Sequence, residues 1–392
     1  MHTKRFKRMT QCEVMNNYTF VLDENPDRSF SEEEKNHVKN ATNILKTKML
    51  DQKNLIENSE GWDEAKRKVN EFEFIYSSSK KHYKICKKKS ISRAYFKLWE
   101  ILRDFHGEIF GDNVNRRFVT CHLAEGPGGF IECLTDYKSK FGIKISKMFG
   151  LTLLQQSQTE NRVPFWKIPK EACMKHNITL NKRNENIGDM YKMHCINQFV
   201  DKVGYHSADI VTADGGFDFS LDFNKQEENF IQLFLSEVYT ALLLQKNHGT
   251  FIVKVFDMFT ENTICLISIL NSLYSKIFIV KPFTSRPANS EKYLVCVDFN
   301  AKDNFWGLMN DLKGCISTNN MNTILKNYYK PELACRLFLY NVYYSHRQMS
   351  YLKKTLDEAE TSTQNTGCVE YDNRIEKCYQ WCKQYGIEAI SK

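Results

Sequence analysis

The chain has 392 residues, of which 42% are hydrophobic and 13% aromatic, so it can bury a sizeable core and is neither a disordered nor a fibrous protein. Its 55 basic and 47 acidic residues give a net charge of +8, a mild excess that favours an anionic partner without requiring one. The sequence contains no apolar run long enough to span a membrane, and residues 1–8 lack the apolar stretch of a signal peptide. We therefore expect neither a membrane protein nor a secreted one.

The 13 cysteines are too many and too scattered for a disulfide scaffold, and an odd number cannot all pair within the chain. Most lie in apolar stretches, where a free cysteine behaves as a small hydrophobic residue. Cys378 and Cys382 stand one helical turn apart, but no further ligands follow at the spacing of a zinc site. The sequence thus predicts free thiols, a reducing intracellular compartment and no bound metal.

The N-terminal 90 residues are predicted to form a helical and basic extension. Residues 1–30 are polar and are expected to be irregular, and Ser31 followed by three glutamates is typical of a helix start, with helical periodicity continuing through Met49. A second helix is predicted from Trp62. Residues 80–89 form the densest basic run of the chain, which is either a solvated loop or a segment that contacts phosphates.

A clear amphipathic helix follows at residues 92–102. Its apolar stripe consists of Tyr95, Leu98, Trp99 and Leu102. The opposite, polar face carries Arg93, Lys97 and Asp104.

Apolar strand-like segments then alternate with helical ones up to residue 300. The predicted strands are Phe118–Leu123, Lys147–Leu153, Ile210–Ala213, Thr250–Val255, Ile277–Val280 and Tyr293–Val297. Predicted helices begin at Gly129, Glu227 and Thr260. This alternation indicates the α/β class, with an open, mostly parallel sheet covered by helices on both faces. Ligands of such sheets bind beyond the carboxyl ends of the strands.

Beyond this region, residues 301–392 are predicted to form a helical C-terminal extension. Met321–Leu356 is helical and rich in tyrosine, residues 357–373 form a polar linker, and a last helix surrounds Tyr379 and Trp381. Tyrosines at helical spacing are typical of a core.

A glycine-rich turn, Leu123–Phe130, follows the first core strand. Gly126, Gly128 and Gly129 allow a ligand to approach the backbone and place free helix N–H groups beside it. Neither the dinucleotide spacing nor the Walker pattern is present. From the residues alone, both a ligand loop and a simple tight turn remain open.

The turn resembles the S-adenosylmethionine motif of the FtsJ-type ribose 2′-O-methyltransferases, particularly the messenger-RNA cap enzymes of eukaryotes and large cytoplasmic DNA viruses. That family is marked by a Lys-Asp-Lys-Glu tetrad, and matching contexts occur in the same order here. They are Lys97 in Ser-Arg-Ala-Tyr-Phe-Lys-Leu, Asp214 in Thr-Ala-Asp-Gly-Gly, Lys254 in Phe-Ile-Val-Lys-Val-Phe and Glu291 in Ser-Arg-Pro-Ala-Asn-Ser-Glu-Lys-Tyr. The resemblance covers residues 92–298.

The resemblance implies a Rossmann-like fold with a seven-stranded sheet in residues 91–300, S-adenosyl-L-methionine as cofactor and methylation of RNA ribose, with capped mRNA as the substrate. The residues that it places around the cofactor are Glu125, Gly126, Pro127, Gly128, Gly129, Phe130, Leu151, Thr152, Asp189 and Asp214. Candidate RNA contacts are Lys87, Lys88, Lys89, Arg93 and Arg286. The terminal extensions are candidate binding sites for other capping or transcription proteins.

A ribose hydroxyl is too weak an acid to ionise at neutral pH, so the reaction needs a general base. A lysine can serve if burial or a neighbouring cation lowers its pKa towards neutrality. Lys254 ends an apolar strand and Lys97 would supply the cation, while Asp214 and Glu291 would orient the two lysines. Taken singly, each of these residues also has an ordinary structural explanation, and only their combination favours catalysis.

Other functions remain open at this point. The chain could methylate ribosomal or transfer RNA, or it could be a non-catalytic RNA-binding or virion subunit built on the same fold. An intact tetrad argues against the non-catalytic alternatives. The bacterial ribosomal enzymes need little beyond the sheet domain, whereas this chain carries about 90 further residues on each side.

Overall fold

In the computed structural model of the protein, eight strands form a single sheet. The structure describes residues 18–22, 30–57, 59–78, 84–113, 115–153, 166–181, 188–216, 225–301, 303–318, 321–361 and 369–391. The strands are β1 Tyr18–Leu22, β2 Arg117–Leu123, β3 Lys144–Leu151, β4 Ile178–Leu180, β5 Ala208–Ala213, β6 Gln245–Val255, β7 Tyr274–Lys281 and β8 Lys292–Phe299. Their order in the sheet is β1-β7-β8-β6-β5-β2-β3-β4.

The sheet is parallel over most of its width. β6, β5, β2, β3 and β4 are parallel neighbours, whereas β8 runs antiparallel between β6 and β7. β1 adds to the far edge, antiparallel to β7. The α/β class and the mostly parallel sheet predicted from the sequence are therefore confirmed.

Helices cover both faces of this sheet. The helices are α1 Glu32–Glu57, α2 Trp62–Val69, α3 Ala94–Asp104, α4 His106–Phe110, α5 Gly129–Phe141, α6 Lys170–His176, α7 Met193–Val203, α8 Gln226–Leu244, α9 Glu261–Leu273, α10 Phe305–Thr318, α11 Met321–Leu325, α12 Pro331–Thr361 and α13 Val369–Tyr385. One core joins the sheet to α8, α9 and α10. The other joins the opposite face to α3, α5 and α13.

Both terminal extensions pack against this sheet. Tyr340, Tyr343 and Tyr344 of α12 surround Phe20 of β1, with ring centroids 4.9, 5.0 and 5.5 Å from it. Tyr344 is buried, and the Tyr340 hydroxyl donates to the carbonyl of Val21. Tyr344 thus belongs to the core, and Tyr340 and Tyr343 are partly buried and pack against it, as their helical spacing indicates.

Several sequence-based boundaries need correction. The expectation of an irregular segment up to residue 30 is wrong at β1, whose five residues gain their hydrogen bonds from the distant strand β7. The three-residue β4 is too short to give a sequence signal, and with β1 it raises the strand count above the implied one. The predicted second strand starts earlier, at Lys144.

The C-terminal helix prediction is also corrected. The continuous helix expected from Met321 is interrupted before Pro331, because proline has no N–H to donate and favours the first turn of a new helix. α12 then continues to Thr361, into the segment predicted as a linker, while residues 362–368 lie outside the described residues.

The 11 cysteines within the described parts of the chain are free thiols, and ten of them are buried. None of the helices described in the structure is both long and apolar enough to cross a membrane.

Candidate active site

The candidate site lies at the carboxyl edge of the parallel strands. The strand register pairs Ala213, the last residue of β5, with Leu123 of β2 on one side and Val253 of β6 on the other. The residues that follow Leu123 and Ala213 therefore meet Lys254 at one edge. β8 begins at Lys292, which pairs with Val255, so Glu291 arrives at the same place.

Lys97 and Glu291 form the first of two buried lysine–carboxylate pairs. Their Nζ and Oε2 atoms are 2.7 Å apart, and each side chain is only 10% exposed. The second carboxylate oxygen of Glu291 accepts a hydrogen bond from the Ser285 hydroxyl at 2.8 Å. Burial alone would raise the pKa of Glu291, but Lys97, Lys254 and Lys281 outweigh it and hold this pKa well below its ordinary value.

Lys97 does not lie on a solvated face of its helix. The sequence pattern placed it opposite the apolar stripe, yet every residue from Tyr95 to Leu102 is buried. The Lys97 face of α3 is turned towards the loop before β8, where Glu291 receives its ammonium group. The helix is thus enclosed on both faces, and Lys97 is retained inside as one member of an ion pair.

Lys254 and Asp214 form the second pair. The Lys254 ammonium donates to the backbone carbonyl of Asp214 at 2.8 Å and lies 3.2 Å from its Oδ1. The same Oδ1 accepts a hydrogen bond from the Tyr293 hydroxyl at 2.7 Å. Because Tyr293 is the β8 partner of Lys254, the strand register itself brings these three side chains together.

The expected direction of the Lys254 pKa is wrong for this arrangement. Burial lowers the pKa of Lys254, as the sequence argument supposed, but the carboxylates of Asp214, Glu291 and Glu237 outweigh burial and raise it above its ordinary value. The sequence argument placed Asp214 and Glu291 beside the lysines without counting their effect on the pKa of Lys254, and it gave Glu237 no role. In this state Lys254 is held as an ammonium ion.

The glycine turn is shaped by Glu125, whose carboxylate caps the helix that follows. Its Oε1 accepts hydrogen bonds from the backbone N–H groups of Phe130 and Ile131 at 2.9 and 2.8 Å. Burial raises the pKa of this carboxyl well above its ordinary value. The Phe130 ring is fully buried in the core, so any part it plays in ligand binding falls to its backbone.

Two glycines of the turn are required by close packing. Gly128 has a φ of 114°, and a Cβ there would lie 2.8 Å from the Ile168 side chain. A Cβ on Gly129 would lie 2.2 Å from the hydroxyl of Ser92. This hydroxyl is buried and has no hydrogen-bond partner among the described residues. The turn therefore lies close against its surroundings and leaves a polar atom unsatisfied beside it.

Thr152 connects the turn to the end of β3. Its hydroxyl accepts from the Gly126 N–H at 3.0 Å. The buried side chain of Asn181 holds the Thr152 backbone at both ends, accepting from its N–H at 3.0 Å and donating to its carbonyl at 2.9 Å. A Cβ on Gly188 would lie 2.0 Å from that carbonyl, so Gly188 also packs directly on Thr152.

The candidate adenosine side of the site is more open. Asp189 accepts from the N–H of Tyr191 at 3.0 Å and lies 3.4 Å from the ammonium of Lys192. Leu153 and Tyr191 are 42% and 37% exposed, whereas Leu151 is fully buried. Residues 186 and 187 of the motif around Asp189 lie outside the described residues.

The candidate RNA contacts are not equally available. Lys88 pairs with Glu132 and Asp136 at 2.9 and 2.7 Å, and Lys87 lies 3.4 Å from Glu388. Lys89 is exposed. The first part of the basic run, residues 80–83, lies outside the described residues.

The two arginines predicted to contact RNA make contacts within the protein. Arg286 binds both carboxylate oxygens of the buried Glu73 at 2.8 and 3.1 Å. The Arg93 guanidinium lies 5.4 Å from the centre of the Tyr76 ring. Both contacts tie the N-terminal extension to the candidate site, and RNA binding by these arginines remains a prediction.

Sequence reasoning missed four residues that shape the site. Tyr293 stood inside the motif that carries Glu291, and Ser285 began it, but neither received a role. Asn181 follows a strand too short to be recognised. Glu237 is an acid within the apolar run of α8, a signal that was present but not used.

In the parts of the chain that the structure describes, no group of three or more His, Cys, Asp or Glu side chains is arranged to hold a metal ion.

Comparison with known proteins identifies the family of the chain. Residues 90–299 match the model of the FtsJ-like methyltransferases. A zebrafish (Danio rerio) cap-specific mRNA (nucleoside-2′-O-)-methyltransferase 2 is 28% identical over 240 residues, covering 56% of this chain and 30% of that protein. A Drosophila melanogaster cap-specific mRNA (nucleoside-2′-O-)-methyltransferase 1 is 33% identical over 174 residues, covering 44% of this chain and 21% of that protein.

A third relative, from Caenorhabditis briggsae, is named an inactive cap-specific mRNA (nucleoside-2′-O-)-methyltransferase 1B and is 28% identical, covering 63% of this chain and 30% of that protein. The chain thus spans a third or less of the length of these three relatives. The family match extends over more than half of the chain and includes both lysine–carboxylate pairs and the glycine turn. The chain belongs to the FtsJ-like methyltransferase family.

Proposed function

We propose that the protein transfers a methyl group from S-adenosyl-L-methionine to the ribose 2′-hydroxyl of capped mRNA, with Lys254 as general base. The observation that carries the proposal is the meeting of two buried lysine–carboxylate pairs beside a glycine turn at one edge of the sheet. Because a relative named inactive is as similar to this chain as one named for the activity, the proposal rests on these side chains rather than on overall identity.

The cofactor of this family member is S-adenosyl-L-methionine. Bound in the site, it supplies a methyl group already activated on a cationic sulfur, so no metal is needed to activate it. The residues present suit such a ligand. The Ser92 hydroxyl beside the glycine turn is unsatisfied among the described residues, and the Asp214 carboxylate favours a nearby positive charge. Gly126, Gly128 and Gly129 would face the methionine part, with Glu125 and Pro127 shaping the loop, and Leu151, Thr152 and Asp189 would face the adenosine.

The four charged residues have different roles in the proposed reaction. Lys254 takes the proton of the ribose hydroxyl, and Asp214 positions Lys254 through its carbonyl and carboxylate. Glu291 fixes Lys97, which contributes a positive charge at the same edge. An ammonium ion cannot accept a proton, so the activity depends on how strongly the surrounding carboxylates hold Lys254 in its charged form.

Methyl transfer from labelled donor to capped and uncapped transcripts of otherwise identical sequence tests the substrate. We expect transfer to the capped transcript, with the label recovered as a 2′-O-methyl nucleoside next to the cap. If uncapped ribosomal or transfer RNA is the better acceptor, the cap assignment fails while the methyltransferase chemistry stands. If no RNA accepts methyl groups although the donor binds, the chain is a binding subunit.

We expect the exposed part of the basic run to contribute to RNA affinity. Replacing Lys87 and Lys89 by alanine should raise the Michaelis constant for RNA and reduce the salt slope by about one unit per lost phosphate contact. Donor affinity should not change. A matched control replaces Lys246 and Lys276. These exposed lysines lie near the starts of β6 and β7, at the ends of the strands that are away from the candidate site. Equal salt slopes for the two double variants would remove the basic run from the RNA site.

Lys88 is left out of that variant because its ion pairs with Glu132 and Asp136 attach the basic run to α5. Its replacement would change the position of the segment as well as its charge.

Asn181 is expected to support the donor pocket through Thr152. In an Asn181→Ala variant, the Thr152 N–H and carbonyl lose their partners, which costs about 1–3 kcal/mol for each buried group left unsatisfied. We expect the dissociation constant of S-adenosylmethionine, measured by calorimetry, to rise at least about tenfold. Asn177, whose exposed side chain donates to the Ser146 carbonyl near the start of β3, provides the control, since its replacement should leave donor binding unchanged.

We propose that residues 91–300 form the methyltransferase domain and that residues 1–90 and 301–392 are extensions on either side of it. Binding of other capping or transcription proteins by these extensions is likewise part of the proposal.

A further inference from the structure

Glu237 is an acid buried in the middle of α8, within the helix's most apolar stretch. It is 0% exposed, and leucine, phenylalanine and valine side chains surround it along the helix. An ionised carboxylate in such surroundings is costly unless its charge is compensated. An apolar residue would fill the same space without that cost, so the fold alone does not call for an acid here.

The carboxyl group of Glu237 contacts the peptide group that also binds Lys254. Its Oε1 accepts a hydrogen bond from the Gly215 N–H at 3.1 Å. The carbonyl at the other end of this peptide bond is that of Asp214, and it accepts the Lys254 ammonium at 2.8 Å. A single peptide unit thus has Glu237 on its N–H side and Lys254 on its C=O side.

The sequence leaves space for this contact. A Cβ at position 215 would lie 2.2 Å from the same Glu237 oxygen, so only glycine permits the hydrogen bond at this distance. At position 216, a Cβ would lie 2.9 Å from the Lys254 Nζ. The two glycines after Asp214 therefore accommodate Glu237 on one side and Lys254 on the other.

We propose that Glu237 is a positioning residue of the methyl-transfer centre, which sets the position and the protonation of Lys254 through the Asp214–Gly215 peptide. This inference rests on the proposed role of Lys254 as the general base. Neither the family match nor the resemblance of the sequence assigns a role to Glu237.

The physical basis is polarisation of the shared peptide. A negative charge at Glu237 draws the N–H towards itself and makes the Asp214 carbonyl a stronger acceptor, because hydrogen bonds in series strengthen one another. Ionised Glu237 therefore holds Lys254 more firmly as an ammonium ion. Neutral Glu237 still accepts a hydrogen bond from the Gly215 N–H, but it stabilises the ammonium form of Lys254 less.

Glu237 is able to exist in both forms near neutral pH. Burial raises the pKa of Glu237 to about 8, against the opposing effects of Lys254 and the Gly215 hydrogen bond. Its Oε2 has no hydrogen-bond partner among the residues that the structure describes, so a proton can reside there without displacing a contact. The charged or titratable groups near it are Lys254, Asp214 and the Tyr191 phenol.

The sign of the effect on Lys254 follows from its neighbours, which are Asp214, Glu291 and Glu237. All three raise its pKa when ionised. Replacing Glu237 by glutamine keeps the acceptor for Gly215 and removes one negative charge, so the pKa of Lys254 should fall. More Lys254 is then neutral at a given pH, and the rising limb of the rate profile, which follows the deprotonation of Lys254, moves to lower pH.

The test compares Glu237→Gln with Glu227→Gln in the full chain. Glu227 is a second buried glutamate of α8, whose Oε1 accepts from the N–H groups of Phe259 and Thr260. Its Oε2 also lacks a partner in the described part of the chain, but it does not touch the peptide that binds Lys254. The pair therefore matches in helix, burial and chemistry.

Single-turnover rates with capped RNA are measured as a function of pH. We expect the midpoint of the Glu237→Gln profile to move down by about one pH unit, and that of Glu227→Gln to coincide with the wild type. Glu237→Leu, which removes the acceptor as well, should lower the rate at every pH. Coincident profiles for wild type and Glu237→Gln would overturn the proposal.

A measurement that does not depend on activity separates this proposal from the proposed function. The Cε resonance of Lys254 in lysine-labelled protein, assigned with Lys254→Arg, should shift near pH 8 as Glu237 ionises and again when Lys254 itself titrates. The first step should be absent in Glu237→Gln. If the wild-type protein transfers no methyl group to any RNA but shows both steps, the proposed function fails, while the coupling of Glu237 to Lys254 stands. A single step in the wild type overturns this coupling.

Discussion

Replacement of Lys254 by alanine should reduce methyl transfer by about a thousandfold, the range in which a positioned general base contributes to catalysis. The reason is that, in the part of the chain that the structure describes, the other members of the Lys97, Asp214, Lys254 and Glu291 set are already engaged. Lys97 is bound to Glu291, and Asp214 accepts from Tyr293 as well as from Lys254. Labelled methyl transfer measures the rate, and calorimetry should find donor affinity within about twofold of the wild type.

The pH dependence of the wild-type enzyme has a definite sign. Burial lowers the pKa of Lys254, but Asp214, Glu291 and Glu237 raise it above its ordinary value. Only the neutral amine can accept a proton, so we expect the rate to rise with pH through the neutral range and beyond it. A rate that is independent of pH from 6 to 9 would show that the proton leaves by another route.

The control for Lys254→Ala lies on the same strand as Lys254. Lys246, at the opposite end of β6, has a side chain 54% exposed, so Lys246→Ala should transfer methyl groups at the wild-type rate. The fold should survive the loss of the Lys254 amine, because the Asp214 carboxylate keeps its hydrogen bond from Tyr293. Turnover by Lys254→Ala within about tenfold of the wild type would exclude Lys254 as the base.

The central strands were predictable because their residues are apolar or β-branched and buried on both faces. β5 and the second half of β6 show this directly, since every residue there is buried. The edge strands carry weaker signals. β1 depends on pairing with β7, which lies more than 250 residues later in the chain. The local sequence of β1 cannot identify so distant a partner.

The candidate site was predictable as a set of residues but not as a set of contacts. Motif contexts identified Lys97, Asp214, Lys254 and Glu291, while their pairing depends on the direction in which α3 crosses the sheet edge. The surroundings of these side chains were harder to predict than their pairing. Arg286 was expected to reach RNA, yet its guanidinium binds Glu73, an acid more than 200 residues away in sequence.

The Lys254 pKa shows why electrostatics escapes sequence reasoning. Burial could be inferred from the apolar strand that ends at Lys254, and it acts in the expected direction. The opposing acids come from β5, α8 and the loop before β8. Charges at short range in a low-dielectric site interact strongly, so their positions decide the sign.

Loss of Lys53 should destabilise the whole fold by about 3 kcal/mol or more. This lysine of α1 is 4% exposed, and its ammonium lies 2.6 Å from the carboxylate of Asp257 in the loop after β6. Burial raises the pKa of Asp257, but Lys53 and Lys292 outweigh it and lower that pKa. Lys53→Met removes the nearest cation of the buried Asp257, since Lys292 lies 3.9 Å away, and urea unfolding measures the loss of stability.

A surface ion pair of the same helix supplies the comparison. Lys46 lies 3.3 Å from Glu228, and both side chains are substantially exposed to solvent. Lys46→Ala should therefore change the free energy of unfolding by less than about 1 kcal/mol. If Lys53→Met and Lys46→Ala are equally stable, the buried pair does not fasten α1 to the catalytic sheet.

The double variant Lys53→Met/Asp257→Asn separates the loss of attraction from the penalty of an unpaired buried charge. Most of the cost of the single variant comes from the uncompensated carboxylate, so the double variant should be more stable than Lys53→Met alone. Acid should also distinguish them. The lowered pKa of Asp257 gives wild-type stability that is present above its ordinary value of 3.8 and lost as the pH falls below it, and the double variant should lack this loss.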